Sequence, residues 1–177
     1  MKKFSFAGLI GLSVLLSAFT SLNAITWKIA DGYAIKFAGN DAEGVFSKMT
    51  GDISFDEANV EAAKMSVSID VTSINTGNGM KNGHAKSSKW FDAKKFPAIK
   101  FTSSKFSKSA EGYTVTGQLE LHGITKEVAI PFTFANNTFK GKFQVNRMDY
   151  GVGNMEGMSK KVSNEIKLDI TVPVTKK

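Results

Sequence analysis

A chain of 177 residues with a formal charge of +7 and no cysteine is long enough for one domain with a sizeable core, held by packing and backbone pairing without disulfides. The same absence excludes a thiolate nucleophile and every cysteine-ligated zinc or iron–sulfur site, and two histidines, His84 and His122, are too few for a histidine-rich metal site. The basic excess is too moderate to name a partner by charge alone.

The N-terminal run "MKKFSFAGLIGLSVLLSAFTSLNA" sets Lys2 and Lys3 before an apolar stretch from Phe4 to Phe19, with the small Ala24 where a signal peptidase could cut. That pattern predicts a signal peptide over 1–24, a mature domain over 25–177, and a periplasmic or secreted location. A membrane anchor fits less well: Gly8, Gly11, Ser13 and Ser17 interrupt a run already short of the ~20 apolar residues a span needs.

From residue 25 the dominant period is two, the period of strands with one buried face. Tyr33, Ile35 and Phe37 share the inner face of a first strand. A second, around Val45 to Met49, is expected to turn at Thr50-Gly51 into "DISFD" as a hairpin. Met65, Val67, Ile69 and Val71 then alternate with Lys64, Ser66, Ser68 and Asp70. Residues 77–89 lose the period and read as an irregular connection with one short helix. Pro97 suits the start of the next strand, which aligns Ile99 with Phe101. "YTVTGQLELH", carrying Leu119, "KEVAIPFTFA" and "TFKGKFQVNR" follow as a meander separated by "GIT" and "ANN" turns. Val128, Ile130, Phe132 and Phe134 share one face, as do Phe139, Phe143 and Val145, with Gly141 marking a bend. After a loop over 151–160, "NEIKLDITVPV" ends the pattern.

Roughly eight antiparallel strands in sequence leave two edges unless the last pairs with the first. The predicted fold is therefore all-β: a single eight-stranded antiparallel up-and-down barrel. A β-sandwich has the same local pattern. A barrel of this size is either filled by its own side chains or holds one small ligand, and the residues alone leave both open. Enzyme signatures are thin. There is no G-x-S-x-G elbow, and "GVGNMEG" has the wrong spacing for a dinucleotide loop. Asn136-Asn137-Thr138 matches a glycosylation sequon but reads as a hairpin turn.

Three segments carry a resemblance. "HAKSSKWFDAKKFPAIKFTS", "ADGYAIKF" and "VNRMDYGVG" together resemble the YceI-like family of secreted, lipocalin-like barrels that bind polyisoprenoid lipids. The resemblance runs through Trp90, Phe91, Asp92, Lys95, Pro97, Ile99 and Phe101, which it implies build a corner, and through Arg147, Asp149, Tyr150 and Gly151. Members often have His-Leu-Lys-Ser where this chain has His84-Ala85-Lys86-Ser87, one apolar contact fewer at the mouth.

What the resemblance implies is a carrier for an isoprenoid quinone or a polyprenyl phosphate, touching membrane surfaces transiently, with no cofactor, metal, nucleic acid or catalytic residue. The tail would lie against Tyr33, Ile35, Phe37, Met65, Val67, Ile69, Ile99, Phe101, Leu119, Phe132, Phe134, Phe143 and Val145. The head group would meet His84, Lys86 and Arg147, with Lys89 nearby. For Arg147, a structural ion pair with Asp149 or another carboxylate competes with that role. Met148, Met155 and Met158 flank the last loop and could adapt to an entering lipid. Two other functions stay open: a stress-related interaction module without a physiological ligand, and a lipid-modifying enzyme using His84 and Arg147.

Overall fold

The computed structural model describes residues 25–153 and 156–177. The signal peptide expected over 1–24, and Met155, lie outside those residues.

The alternating segments form one antiparallel sheet that closes on itself as an eight-stranded barrel. Its first three wall strands are each broken in two. β1 (Thr26–Ile29) and β2 (Ala34–Gly39) make the first, β3 (Ala42–Phe46) and β4 (Met49–Ser54) the second, β5 (Lys64–Asp70) and β6 (Ile74–Asn75) the third. Five long strands complete the wall: β7 (Ala98–Ser109), β8 (Gly112–Leu121), β9 (Ile124–Ala135), β10 (Thr138–Asn146) and β11 (Glu165–Lys176). Each pairs with the next, and β11 closes the circle by pairing with β2 through Lys167–Thr171 and with β1 through Val174–Lys176. Closure leaves no free edge at the ends of the meander.

The turns follow local chemistry. Asn136 and Asn137, at φ 50° and 53°, and His122-Gly123, at 52° and 76°, take the left-handed conformation that tight hairpins of right-twisted strands require. The "GIT" turn is therefore shifted toward the N-terminus, with Ile124 and Thr125 already in β9.

The hairpin expected at Thr50-Gly51 is not there. β4 runs straight through both residues, paired with β5 from Met49↔Ile69 to Ser54↔Lys64. Gly51 serves a different need: a Cβ on it would fall 2.7 Å from the Cα of Val67, so the glycine permits close approach of the two strands. The actual turn lies earlier, at Asn40-Asp41, with Asp41 at φ 53°.

The short helix α1 (Gly79–Lys86) lies within the expected connection, and the Asn78 side chain accepts from the Lys81 amide at its start. After it, "WFDAKKF" folds into a corner. The Asp92 carbonyl accepts from the Lys95 and Phe96 amides and delivers the chain to β7 through Pro97. α1, this corner and the loop between β10 and β11 gather at one end of the barrel, the mouth. The β7–β8 and β9–β10 hairpins and the 55–63 connection lie at the other.

Candidate functional site

The interior is filled at one end and open in the middle. At the closed end Phe55, fully buried, is ringed by Tyr113, Phe134, Phe139, Phe132 and Phe106 at centroid distances from 5.1 to 6.1 Å, mostly edge to face. Trp27 seals the cluster. Its ring meets Phe134, and its Nε1–H donates to the Phe55 carbonyl at 2.8 Å.

Above this floor is an inner chamber of about 180 Å³ whose lining is almost wholly carbon. Of the residues expected to hold a tail, Ile35, Met65, Val67, Ile69, Ile99, Phe101, Leu119, Phe132, Phe143 and Val145 line it. Three stand elsewhere. Phe134 belongs to the aromatic floor. Tyr33 sits at the break between β1 and β2, where its hydroxyl donates to the Ser47 carbonyl and accepts from the Met49 amide, both at 3.0 Å, bridging two broken wall strands. Phe37, two pairs nearer the mouth than Ile35, lines a second space.

That outer chamber, of about 390 Å³, lies under α1. Phe37, Ile74, Trp90 and Phe91 provide its apolar walls, and Asp41, Glu43, Lys81, His84 and Lys161 its charged ones. Phe91, Arg147, Val152 and Ile166 border both chambers and form the waist between them. The head-group residues expected from the sequence are thus only partly assembled. His84 is exposed on α1 and lines the outer chamber, whereas Lys86 lines neither chamber and Lys89 is exposed beyond the helix.

Arg147 is 3% exposed, yet its donors face the protein. Nε–H donates to the Ser163 carbonyl at 3.0 Å, Nη1 to the Val152 carbonyl at 2.8 Å and to Met148 Sδ at 3.2 Å, and Nη2 to the Ser159 and Val162 carbonyls, each at 3.2 Å. A guanidinium has five N–H bonds, and these contacts occupy that number. Its carbon lies 5.3 Å from the Trp90 ring centroid, so the plane also caps an aromatic face. Burial pushes its pKa down from the usual arginine value. The residue is a strut for the loop over 152–163, and the ion pair with Asp149 considered above is absent, because Asp149 pairs with Lys126 at 3.5 Å.

Several lining residues lay outside the sequence assignment. Ile166, Leu168, Ile170 and Val172 line the inner chamber and were findable from the alternation of the last strand. Phe91, Val152, Lys81 and Lys161 sit on irregular or helical segments, where no period says which way a side chain faces.

Residues 23–174 match the YceI-like domain family. A UPF0312 protein of Yersinia enterocolitica is 36% identical over 132 residues, 69% of this chain and 69% of that protein. Another, of Photorhabdus laumondii, is 34% identical over 138 residues, 73% and 71% of the two chains. BcnA of Burkholderia cenocepacia superposes with a TM-score of 0.74 at 30% identity, covering 81% of this chain and 96% of its own. A polyisoprenoid binding domain from Saccharophagus degradans, implicated in plant cell wall breakdown, superposes with a TM-score of 0.64 at 15% identity over 87% of this chain and 99% of that one, a likeness of fold.

Proposed function

The chain belongs to the YceI-like family, and from that premise we propose that it is an exported, non-catalytic carrier that holds the tail of a polyisoprenoid lipid in its inner chamber. The observation that carries the reading is the chamber itself: carbon-lined, floored by aromatic rings and sharing a four-residue waist with a partly charged outer space. The polyisoprenoid-binding domain that shares the fold supports the same ligand class. The N-terminal pattern supports work outside the cytoplasm.

Each methylene removed from water contributes roughly 0.8 kcal/mol, so a chain of isoprene units offsets much of its ordering cost on entering the chamber. A tail already in a bilayer gains little from that transfer. Selectivity against other lipids then rests on chamber shape and on the head group, which meets His84, Lys81 and Lys161 in the outer space, with Asp41 and Glu43 opposing a purely anionic preference. A quinone accepts hydrogen bonds from these donors without needing net positive charge. A polyprenyl phosphate would need the lysines to outweigh the acids.

Native mass spectrometry of the full chain after expression with its own N-terminus, followed by organic extraction, tests the reading. One prenyl lipid per chain is expected. Protein that arrives empty, and takes up neither an isoprenoid quinone nor a polyprenyl phosphate from vesicles, would overturn it.

A further inference from the structure

The barrel wall is not laddered evenly. β9 and β10 pair from Ala135↔Thr138 to Phe132↔Gly141 and then part, although β9 extends back to Ile124 and β10 on to Asn146. Each remains paired along its other side, β9 with β8 as far as Leu121↔Ile124 and β10 with β11 as far as Asn146↔Glu165. The strands are therefore intact, and only their shared seam opens.

The residues at the fork account for it. Pro131, the first residue of β9 past the last pair, brings no amide hydrogen to a ladder. Gly141 lets the backbones touch just before they diverge: a Cβ there would lie 3.2 Å from the Pro131 carbonyl oxygen. Beyond the fork the inward side chains Val128, Ile130, Phe143 and Val145 are only half-buried, whereas Val115, the β8 partner of Ile130, is buried. Ile130, Phe143 and Val145 also line the inner chamber, so the seam leads into it. At the mouth the gap is bridged again by side chains: the Lys126–Asp149 ion pair at 3.5 Å and His122 Nδ1 against the Tyr150 carbonyl at 3.1 Å.

We propose that the fork between β9 and β10 is a lateral entry site for a hydrocarbon chain, through which a lipid tail slides sideways from an apolar phase into the inner chamber. The proposal rests on the lipid-carrier reading and adds the route. End-on entry would lead the tail through the waist, past the Arg147 strut, and would expose each methylene to water on the way. A slit bordered by Val128, Ile130, Phe143 and Val145 keeps apolar contact throughout. It is a route and not a resting place, because a chain parked there would strip water from two backbone edges.

A chain without cysteine makes the test clean. Continuing the register beyond Phe132↔Gly141 sets Ala129 opposite Gln144, on the outward alternates of the fork. The double variant Ala129→Cys, Gln144→Cys staples the seam on oxidation. Thr116→Cys with Ala129→Cys, across the closed β8–β9 ladder, is the control. If oxidation leaves the fork thiols free, a short bis-maleimide bridges the same pair.

The probe is a short-chain isoprenoid quinone in phosphatidylcholine vesicles, followed in stopped flow by quenching of Trp27 and Trp90. Loading of the stapled fork is expected to be at least about ten-fold slower than that of its reduced form, with equilibrium uptake retained and the control staple neutral. Lys126→Ala, which removes the bridge at the mouth, is expected to load faster. Equal rates for stapled and reduced fork would overturn lateral entry while leaving the carrier reading intact. No uptake by any form, the unmodified chain included, would remove the carrier reading and the route with it.

Discussion

The two ends of the barrel are closed by opposite means. At the floor, seven aromatic rings, Phe55 and Trp27 among them, exclude water by volume, with the Trp27–Phe55 bond as a polar tie. At the mouth, one guanidinium holds the Val152, Ser159, Val162 and Ser163 carbonyls over the waist. Ring packing of this density cannot be loosened by degrees, since a gap in a close-packed core forfeits its contacts outright. A hydrogen-bonded strut is directional, and water can replace its bonds one at a time. A rigid floor fixes the depth of the inner chamber, while the hydrogen-bonded cover can loosen around the outer one.

The contrast predicts unequal penalties. Phe55→Ala removes the ring that five of the others touch and should cost about 3–5 kcal/mol in urea unfolding. If the variant folds, its deeper chamber should accept a longer prenyl tail. Arg147→Ala leaves the buried Val152 carbonyl unmatched and three part-buried carbonyls to water, and should cost about 2–4 kcal/mol, with amide exchange accelerating over 156–163 and unchanged in β7 and β8. Arg147→Lys keeps the charge but not the fork of five donors, so it should recover less than half of that loss. Full rescue by lysine would show that charge, and not the strut geometry, holds the cover.

How much of this was legible in the sequence follows the same division. Alternation fixes direction on a regular strand, so the eight-stranded wall and most of the inner lining could be read from runs such as Met65 to Val71 and Val128 to Phe134. It also misled. Thr50-Gly51 has the composition of a turn, but there glycine answers to a neighbouring backbone, a long-range contact that local sequence does not carry. Phe134 keeps the period of its strand yet ends in the floor, because period says which face a residue takes and not at what height. The mouth was least legible. Arg147 was singled out, but its partners are main-chain carbonyls of a loop, and carbonyls leave no trace in side-chain identity. The fork had one visible sign, Gly141 after a strand containing Pro131.

The smallest expected effect concerns acid. Asp70 ends β5 on the mouth side, where its carboxylate accepts from the Thr72 amide at 2.8 Å and from the Thr72 hydroxyl, with Lys48 at 3.8 Å. The Thr72 hydroxyl bond, aided by the amide and Lys48 and opposed by slight burial, holds its pKa below the usual aspartate value. A carboxylate with a depressed folded pKa contributes stability that is present above its unfolded pKa and lost as pH falls through the folded one. At the floor the titratable ring, Tyr113, is pushed upward by burial and by its bond to Glu57. Amide protection over 71–75, taken against the intrinsic exchange rate at each pH, should therefore fall as pH drops below about 4, before protection around Phe55 and Phe106 changes. Asp70→Ala should abolish that early loss of protection at a cost of no more than about 1 kcal/mol at neutral pH, since the side chain is partly solvated. Simultaneous acid loosening at both ends would mean that the mouth and the floor form one cooperative unit, and that the cover cannot open without disturbing the rings beneath it.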